Sequence, residues 1–297
     1  MNDQLNEFGL FPLYNFYDSI RSSPLKYKQL AYDELLITQF TCPLNMQAIW
    51  AQHNYFVYVL EGKKKWHTPY GAHELTKDSC VFVRKGANIV EQFFNVEFCV
   101  LIFFMSDEFI CETLRPLAIR QLKSDGKHSP VIPVRTDDTL AAFMHAMLTY
   151  FTKNPQPDKS LIQLKFRELL LNIAGNGQNQ EALSYFCSLL HEPASVSLQK
   201  IMEDNFCYNL KLEEYAQLCN RSLSAFKRDF QKTYDQPPGK WLLERRLTHA
   251  RMLLSSGNLP ISEIAYDSGF ENLSHFSRAF RQYFGTPPAA FRQQTTV

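Results

Sequence analysis

Within the last hundred residues one pattern occurs twice: Tyr215-Ala216 through Ser222, Phe226, Arg228, Phe230 and Pro237, then Ile264-Ala265 through Phe276, Arg278, Phe280 and Pro287. From Arg228 onward the copies keep a constant offset of fifty, pairing Phe230 with Phe280, Tyr234 with Phe284 and Pro237 with Pro287. Apolar periodicity alone does not reproduce polar positions as well, so the repeat predicts two equivalent helical units.

Each copy reads as helix, tight turn, helix. In the first, Leu212, Ala216 and Cys219 recur at helical spacing and Asn220-Arg221 supply a turn. Ser222 is a good N-cap for a second helix with Leu223, Phe226 and Phe230 inside and Ser224, Lys227 and Arg228 outside. In the second, Ile261, Ile264 and Ala265 form the first face and Gly269 supplies permissive backbone for the turn. Asn272 or Ser274 then starts a helix buried through Phe276 and Phe280, with Leu273, Ser274, His275 and Arg278 outward. This copy has one more residue between its alanine and central phenylalanine, so its turn need not match the first.

A short helix that leads with small polar and cationic side chains, braced by a preceding helix, suits the major groove of DNA. There arginine pairs with guanine, small polar groups reach other base edges, and a leucine contacts a thymine methyl. Arg228 and Arg278 occupy equivalent places, and each has an alternative in pairing with a carboxylate such as Asp229 or Glu271.

The stretch Leu210 to Arg292 resembles the DNA-binding domain of AraC/XylS-type transcriptional regulators. The resemblance rests on Phe226-Lys-Arg-Asp-Phe230, Trp241-Leu-Leu-Glu-Arg-Arg-Leu247, Ile264-Ala-Tyr-Asp-Ser-Gly-Phe270, Phe276-Ser-Arg-Ala-Phe-Arg281 and Phe284-Gly-Thr-Pro287. It covers about a third of the chain and implies two helix-turn-helix units joined by one long helix, here between Pro238 and Gly257. Leu243, Leu247, Ala250 and Leu254 would be that helix's buried stripe and Gly257 its stop. By the same resemblance, base reading falls on Ser224, Lys227 and Arg228 in the first unit and on Leu273, Ser274, His275 and Arg278 in the second. Lys240, Arg245, Arg246 and Arg251 are either phosphate contacts or the solvated face of the linking helix.

Charge agrees weakly: from Val196 onward there are 13 Lys and Arg against 10 Asp and Glu, while residues 1–195 hold 18 against 20. Affinity for duplex DNA would then come from cations gathered on one face and from helix N-termini rather than from bulk charge.

The N-terminal part is written differently. Leu36–Phe40, Met46–Trp50, Tyr55–Leu60, Cys80–Val83 and Phe98–Phe104 are short β-rich runs, which points to a barrel or sandwich. Glu61-Gly62 is expected to turn the third run back into Lys63–His67, and Lys85-Gly86 marks a second turn. Tyr58-Val-Leu-Glu-Gly62 with Glu74 through Gly86 resembles the cupin-like effector domain of the same regulators. His53, His67, His73 and Glu74 are the residues a metal cupin would use, yet Ala87-Asn88-Ile89 follow Gly86 where a histidine belongs, so no metal and no other cofactor is expected. Trp50, Tyr55, Tyr58, Trp66 and Phe82 either line a small-molecule cavity or fill the interior.

Two amphipathic helices follow. Thr136 or Asp137 caps one carrying Leu140, Phe143, Met144, Met147, Leu148 and Phe151, which Pro155-Gln-Pro157 ends. The second carries Leu161, Leu164, Leu169, Leu170 and Ile173. They pack on the strands or, as the resemblance implies, form a dimer interface through Leu161, Leu164 and Ile173. A polar stretch, 175–180, separates them from a helical segment at 181–190, and 191–197 is the expected interdomain boundary.

At 297 residues and 45% hydrophobic the chain is long enough for two cores. The expectation is an α+β protein with residues 1–190 as sensing and dimerisation domain and 196–297 as DNA-binding domain. No run of eighteen apolar residues and no basic-then-apolar N-terminus is present, so a cytoplasmic protein without membrane contact is expected. The seven cysteines contain no C-x-x-C pair, which disfavours a disulfide framework and a zinc cluster. The implied function is a sequence-specific transcription regulator, an activator working with RNA polymerase and controlled by a small ligand or a protein partner. The rival is an enzyme, either a cupin catalyst or a DNA-repair methyltransferase fused to such a domain, and both lack their ligand clusters.

Overall fold

The computed structural model describes residues 13–41, 46–68, 71–92, 98–117, 128–152, 156–191, 194–256 and 259–295. The chain divides into two compact units that meet between Pro193 and Ala194.

The N-terminal unit opens with β1 (Tyr14–Asn15) and α1 (Phe16–Arg21), then runs through β2 (Lys28–Tyr32), β3 (Leu35–Thr41), β4 (Met46–Ala51), β5 (Asn54–Glu61), β6 (Lys63–Thr68), β7 (Gly71–Thr76), β8 (Cys80–Val83), β9 (Gly86–Gln92) and β10 (Cys99–Met105). Helix α2 (Asp107–Leu114), strand β11 (Val131–Val134) and helices α3 (Asp138–Leu148), α4 (Lys159–Gly175) and α5 (Gln180–His191) complete it.

The strands form two sheets, ordered β1-β4-β9-β6-β7 and β11-β8-β5-β10-β3-β2. This corrects the hairpin expected at Glu61-Gly62. β5 pairs with β8 and β10, whereas β6 pairs with β7 and β9, so the chain changes sheets at Gly62. It changes sheets again between β8 and β9, at Gly86, and both glycines have positive φ.

The six-stranded sheet is buried on both faces, which is why β5 and β10 read as unbroken apolar runs. Tyr55, Val57, Val59, Val100, Ile102 and Phe104 face the core shared with the five-stranded sheet. Phe56, Tyr58, Leu101, Phe103 and Met105 face helices α2 to α5. Asp137 rather than Thr136 caps α3, its side chain accepting from Leu140 N at 2.9 Å. Pro155 and Gly257 lie outside the described residues. Helix α5 runs to His191 and α6 begins at Ala194, so helix occupies most of the segment anticipated as boundary.

The C-terminal unit is all helical: α6 (Ala194–Asn205), α7 (Leu212–Leu218), α8 (Leu223–Tyr234), α9 (Pro238–Ser256), α10 (Ile261–Asp267), α11 (Leu273–Phe284) and α12 (Pro288–Thr295). The buried stripe of α9 differs from expectation at its start. Leu243 is 37% exposed, and Trp241 and Leu242 are buried instead. The reason is that α9 serves two partners: Trp241 packs edge-on to Phe230 of α8 at 5.9 Å, while Leu247, Ala250 and Leu254 pack against α10 and α11. The buried side therefore rotates along the helix.

Candidate nucleic-acid interface

The two halves of the repeat are built alike down to their turns. Helix α7 ends with Arg221 N donating to Ala216 O and Asn220 N to Gln217 O, both at 2.9 Å. Helix α10 ends with Phe270 N donating to Ala265 O at 3.0 Å and Gly269 N to Tyr266 O at 2.8 Å. These are the paired bonds that satisfy the last carbonyls of a helix when the next residue is left-handed. Asn220 (φ 53) and Gly269 (φ 83) are those residues. The extra residue of the second copy falls after this motif, between the left-handed residue and the next cap.

Those caps start the outer helices. Ser222 accepts from Ala225 N at 3.3 Å, and Asn272, not Ser274, accepts from His275 N at 2.7 Å. The aromatic faces are fully buried: Phe226 and Phe230 in α8, Phe276 and Phe280 in α11. Burial of each such ring contributes on the order of 2–3 kcal/mol and fixes the rotation of its helix. Leu223, expected inside, is only partly buried.

That rotation presents Ser224, Lys227 and Arg228 on α8, and Leu273, Ser274, His275 and Arg278 on α11, to solvent. Arg228 is 76% exposed and only 3.4 Å from Asp229 Oδ1, a loose pair whose carboxylate also faces Arg221 at 3.4 Å. An exposed pair of this kind contributes little and leaves Arg228 available. Glu271 accepts from Asn209. Arg278 has no ion-pair partner among the described residues and lines a shallow groove with Ser277, Arg281 and Gln282.

The cations of α9 divide. Lys240, in the first turn, is exposed and 3.8 Å from Glu244. Arg245 and Arg246, expected to be available for phosphate, turn into the protein. Arg245 donates to Glu203 at 2.9 Å and lies 4.4 Å over the Phe206 ring. Arg246 donates to the carbonyls of Phe206 at 2.7 Å and Tyr208 at 2.8 Å. Arg251 lies over the rings of Phe284 and Phe291. Arg281, exposed one turn beyond Arg278, was missed because a cation in a helix's last turn equally complements the helix dipole.

In the N-terminal unit the five aromatic residues do not converge. Tyr55 and Trp66 belong to the core between the sheets, whereas Tyr58 and Phe82 face the helices across the six-stranded sheet. The Tyr58 hydroxyl donates to Asp78 at 2.9 Å, and Phe82 packs 5.4 Å from Tyr185 and 5.2 Å from Phe186. Trp50 is buried as well. His53 packs 4.6 Å from Tyr17, and burial lowers its pKa. His67 and His73 lie on β6 and β7, and the described residues hold no group of three His, Cys, Asp or Glu side chains placed to bind a metal. Of the expected interface residues, Ile173 is 1% exposed and belongs to the core. Leu161 is partly buried, Leu164 is 61% exposed, and Leu171 joins it on the outer face at 41%.

Two helix-turn-helix units on one shared helix, each with a polar and cationic outer face, define a DNA-binding regulator of the double helix-turn-helix class. The helix-turn-helix domain family matches residues 215–294, and the family of ExsA N-terminal regulatory domains matches residues 54–185. The chain belongs to the AraC/XylS family of transcriptional regulators. It is similar to the virulence regulon transcriptional activator VirF of Yersinia enterocolitica, at 26% identity over 263 residues, 87% of this chain and 96% of that one. It is similar also to the transcriptional regulator ExsA of Pseudomonas aeruginosa, at 32% over 130 residues, 44% of this chain and 46% of that one. Among solved structures, ToxT of Vibrio cholerae aligns with 89% of this chain and all of its own, at 13% identity and a TM-score of 0.40. No helix among the described residues is long and apolar enough to cross a membrane.

Proposed function

We propose that the chain is a sequence-specific transcriptional activator whose α8 and α11 enter successive major grooves. Ser224, Lys227, Arg228, Leu273, Ser274, His275 and Arg278 read bases, and Lys240 and Arg281 meet phosphates. One observation carries this reading: burial of the four phenylalanines aims all seven reading side chains outward on two helices built on the same plan. Arginine bidentate to guanine and small polar groups to other base edges are the chemistry such a face performs. The similarity to a virulence regulon transcriptional activator over most of both chains supports activation, and RNA polymerase is the partner through which this chain would act.

The N-terminal unit acts as regulator rather than catalyst. The aromatic residues that could line a cavity are divided between two cores, Tyr55 and Trp66 in one and Tyr58 and Phe82 in the other, which favours a protein partner over a small ligand as effector, and the outer face of α4, with Leu161, Leu164 and Leu171, suits a second protomer. The site of action is the cytoplasm. Selection of duplexes from a random library by the full chain, followed by mobility shift at physiological salt, tests the reading. A bipartite motif bound at least about a thousandfold above bulk DNA is expected. Binding at bulk non-specific affinity would overturn it.

A further inference from the structure

Residues 205–209, the segment leading into α7, lie between the two helix-turn-helix units and touch both. Toward the first unit, the buried hydroxyl of Tyr215 on α7 donates to Asn205 O at 2.7 Å. The Asn205 side chain in turn donates to Ile201 O of α6 at 2.8 Å. Toward the second unit, the Cys207 carbonyl crowds the turn residue Gly269, where an added β-carbon would stand 2.9 Å from it. Asn209 donates to Glu271, the residue ahead of the α11 cap Asn272.

Arg246 closes this set from the middle of α9. Its Nε donates to Phe206 O at 2.7 Å and its Nη2 to Tyr208 O at 2.8 Å, so one planar fork holds the segment at two points. The same Nε lies 2.9 Å from the position of a β-carbon on Gly269. Both reading units are thereby braced on one guanidinium and one short stretch of backbone.

We infer that Arg246 and segment 205–209 set the distance and rotation between α8 and α11, and so select the length of DNA between the two half-sites. Arg246 is a positioning residue with no DNA contact of its own. The inference rests on the reading that both helices enter duplex DNA. Each base pair inserted between half-sites advances the second by about 3.4 Å and turns it by about 35°. A rigid pair of helices tolerates neither change, and a loosened pair tolerates both.

The test uses the full chain, its best duplex from random selection, the same duplex with the spacer altered by one or two base pairs, and duplexes carrying one half-site. The wild type should lose about tenfold per base pair of displacement, the scale of a single mismatch. Arg246→Gln should lose about tenfold on the selected spacer, bind single half-sites as the wild type does, and show a flattened spacer profile. Arg246→Lys keeps the charge but not the two-carbonyl fork, and should behave like the glutamine variant. Asn209→Ala should flatten the profile in the same direction and serves if circular dichroism shows that the Arg246 variants do not fold. Equal loss on every duplex with recovery in the lysine variant would make Arg246 a phosphate contact and overturn the inference, as would an unchanged spacer profile in the folded variants. A wild type with no spacer preference would overturn the two-helix reading itself.

Discussion

Gly269 stands so close to Arg246 that a β-carbon on it would lie 2.9 Å from the guanidinium Nε, with the Cys207 carbonyl oxygen at the same distance on backbone that cannot give way. Gly285, at the end of α11, shares the left-handed φ (80 against 83) but has nothing within 4 Å. Gly285→Ala should therefore cost only the backbone penalty, about 1–2 kcal/mol, and Gly269→Ala about 3 kcal/mol or more, because overpacking adds to it. Urea unfolding of the two variants measures the difference; equal losses would show that the segment at Cys207 yields.

Removal of a reading side chain should change preference as well as affinity. Arg228→Ala and Arg278→Ala are each expected to lose about 1–3 kcal/mol on the best duplex and to relax one base position. Lys240→Ala should weaken all sequences alike and reduce the slope of log affinity against log salt by about one. A shift in unfolding for the arginine variants would instead make those side chains structural.

Replacing Leu164 or Leu171 with aspartate should abolish self-association, read by light scattering, while leaving the circular dichroism spectrum intact, since both are on the outer face of α4. Ile173→Asp should unfold the N-terminal unit, because an unpaired carboxylate in an apolar core costs several kcal/mol. A dimer that survives both leucine substitutions would place the interface elsewhere.

His249 supplies a pH dependence. It lies 5.2 Å from the Phe206 ring, and burial together with the neighbouring Arg245 charge lowers its pKa below the usual 6.5. A histidine depressed in the folded state contributes stability that is present above its unfolded pKa and lost as pH falls through the folded one. His249→Phe should therefore resist acid better: its urea midpoint should match the wild type's in pH sensitivity above about 7 and fall less steeply below about 6.5. Parallel curves down to pH 5 would show that the ring titrates without strain.

Much of the two helix-turn-helix units was legible in the sequence. Ser222 as cap, Phe226, Phe230, Phe276 and Phe280 as buried faces, and the outward positions between them all follow from helical periodicity and capping chemistry, which act over three or four residues. The strand runs of β5 and β10 were legible as strands, but not which sheet each joins, since an unbroken apolar run carries no sign of which face meets which core. Strand β2, with Leu30 its single buried residue, leaves almost no pattern to read.

Local spacing by itself determined that two helix-turn-helix units exist, where their helices start to within a turn, and which side chains the outer helices expose, because those properties are set within a single turn of chain. Only the tertiary structure decided what distant residues do to one another. It sent the chain across sheets at Gly62, gave the Tyr55 face of β5 to the core between the sheets and the Tyr58 face to the helices, buried Ile173, and moved the buried side of α9 from Leu243 to Trp241 and Leu242. It also took Arg245 and Arg246 out of the solvated face of α9. A guanidinium that looks free along its own helix finds an acceptor forty residues away, and no spacing rule along the chain reports a carbonyl that folding alone brings within 2.8 Å.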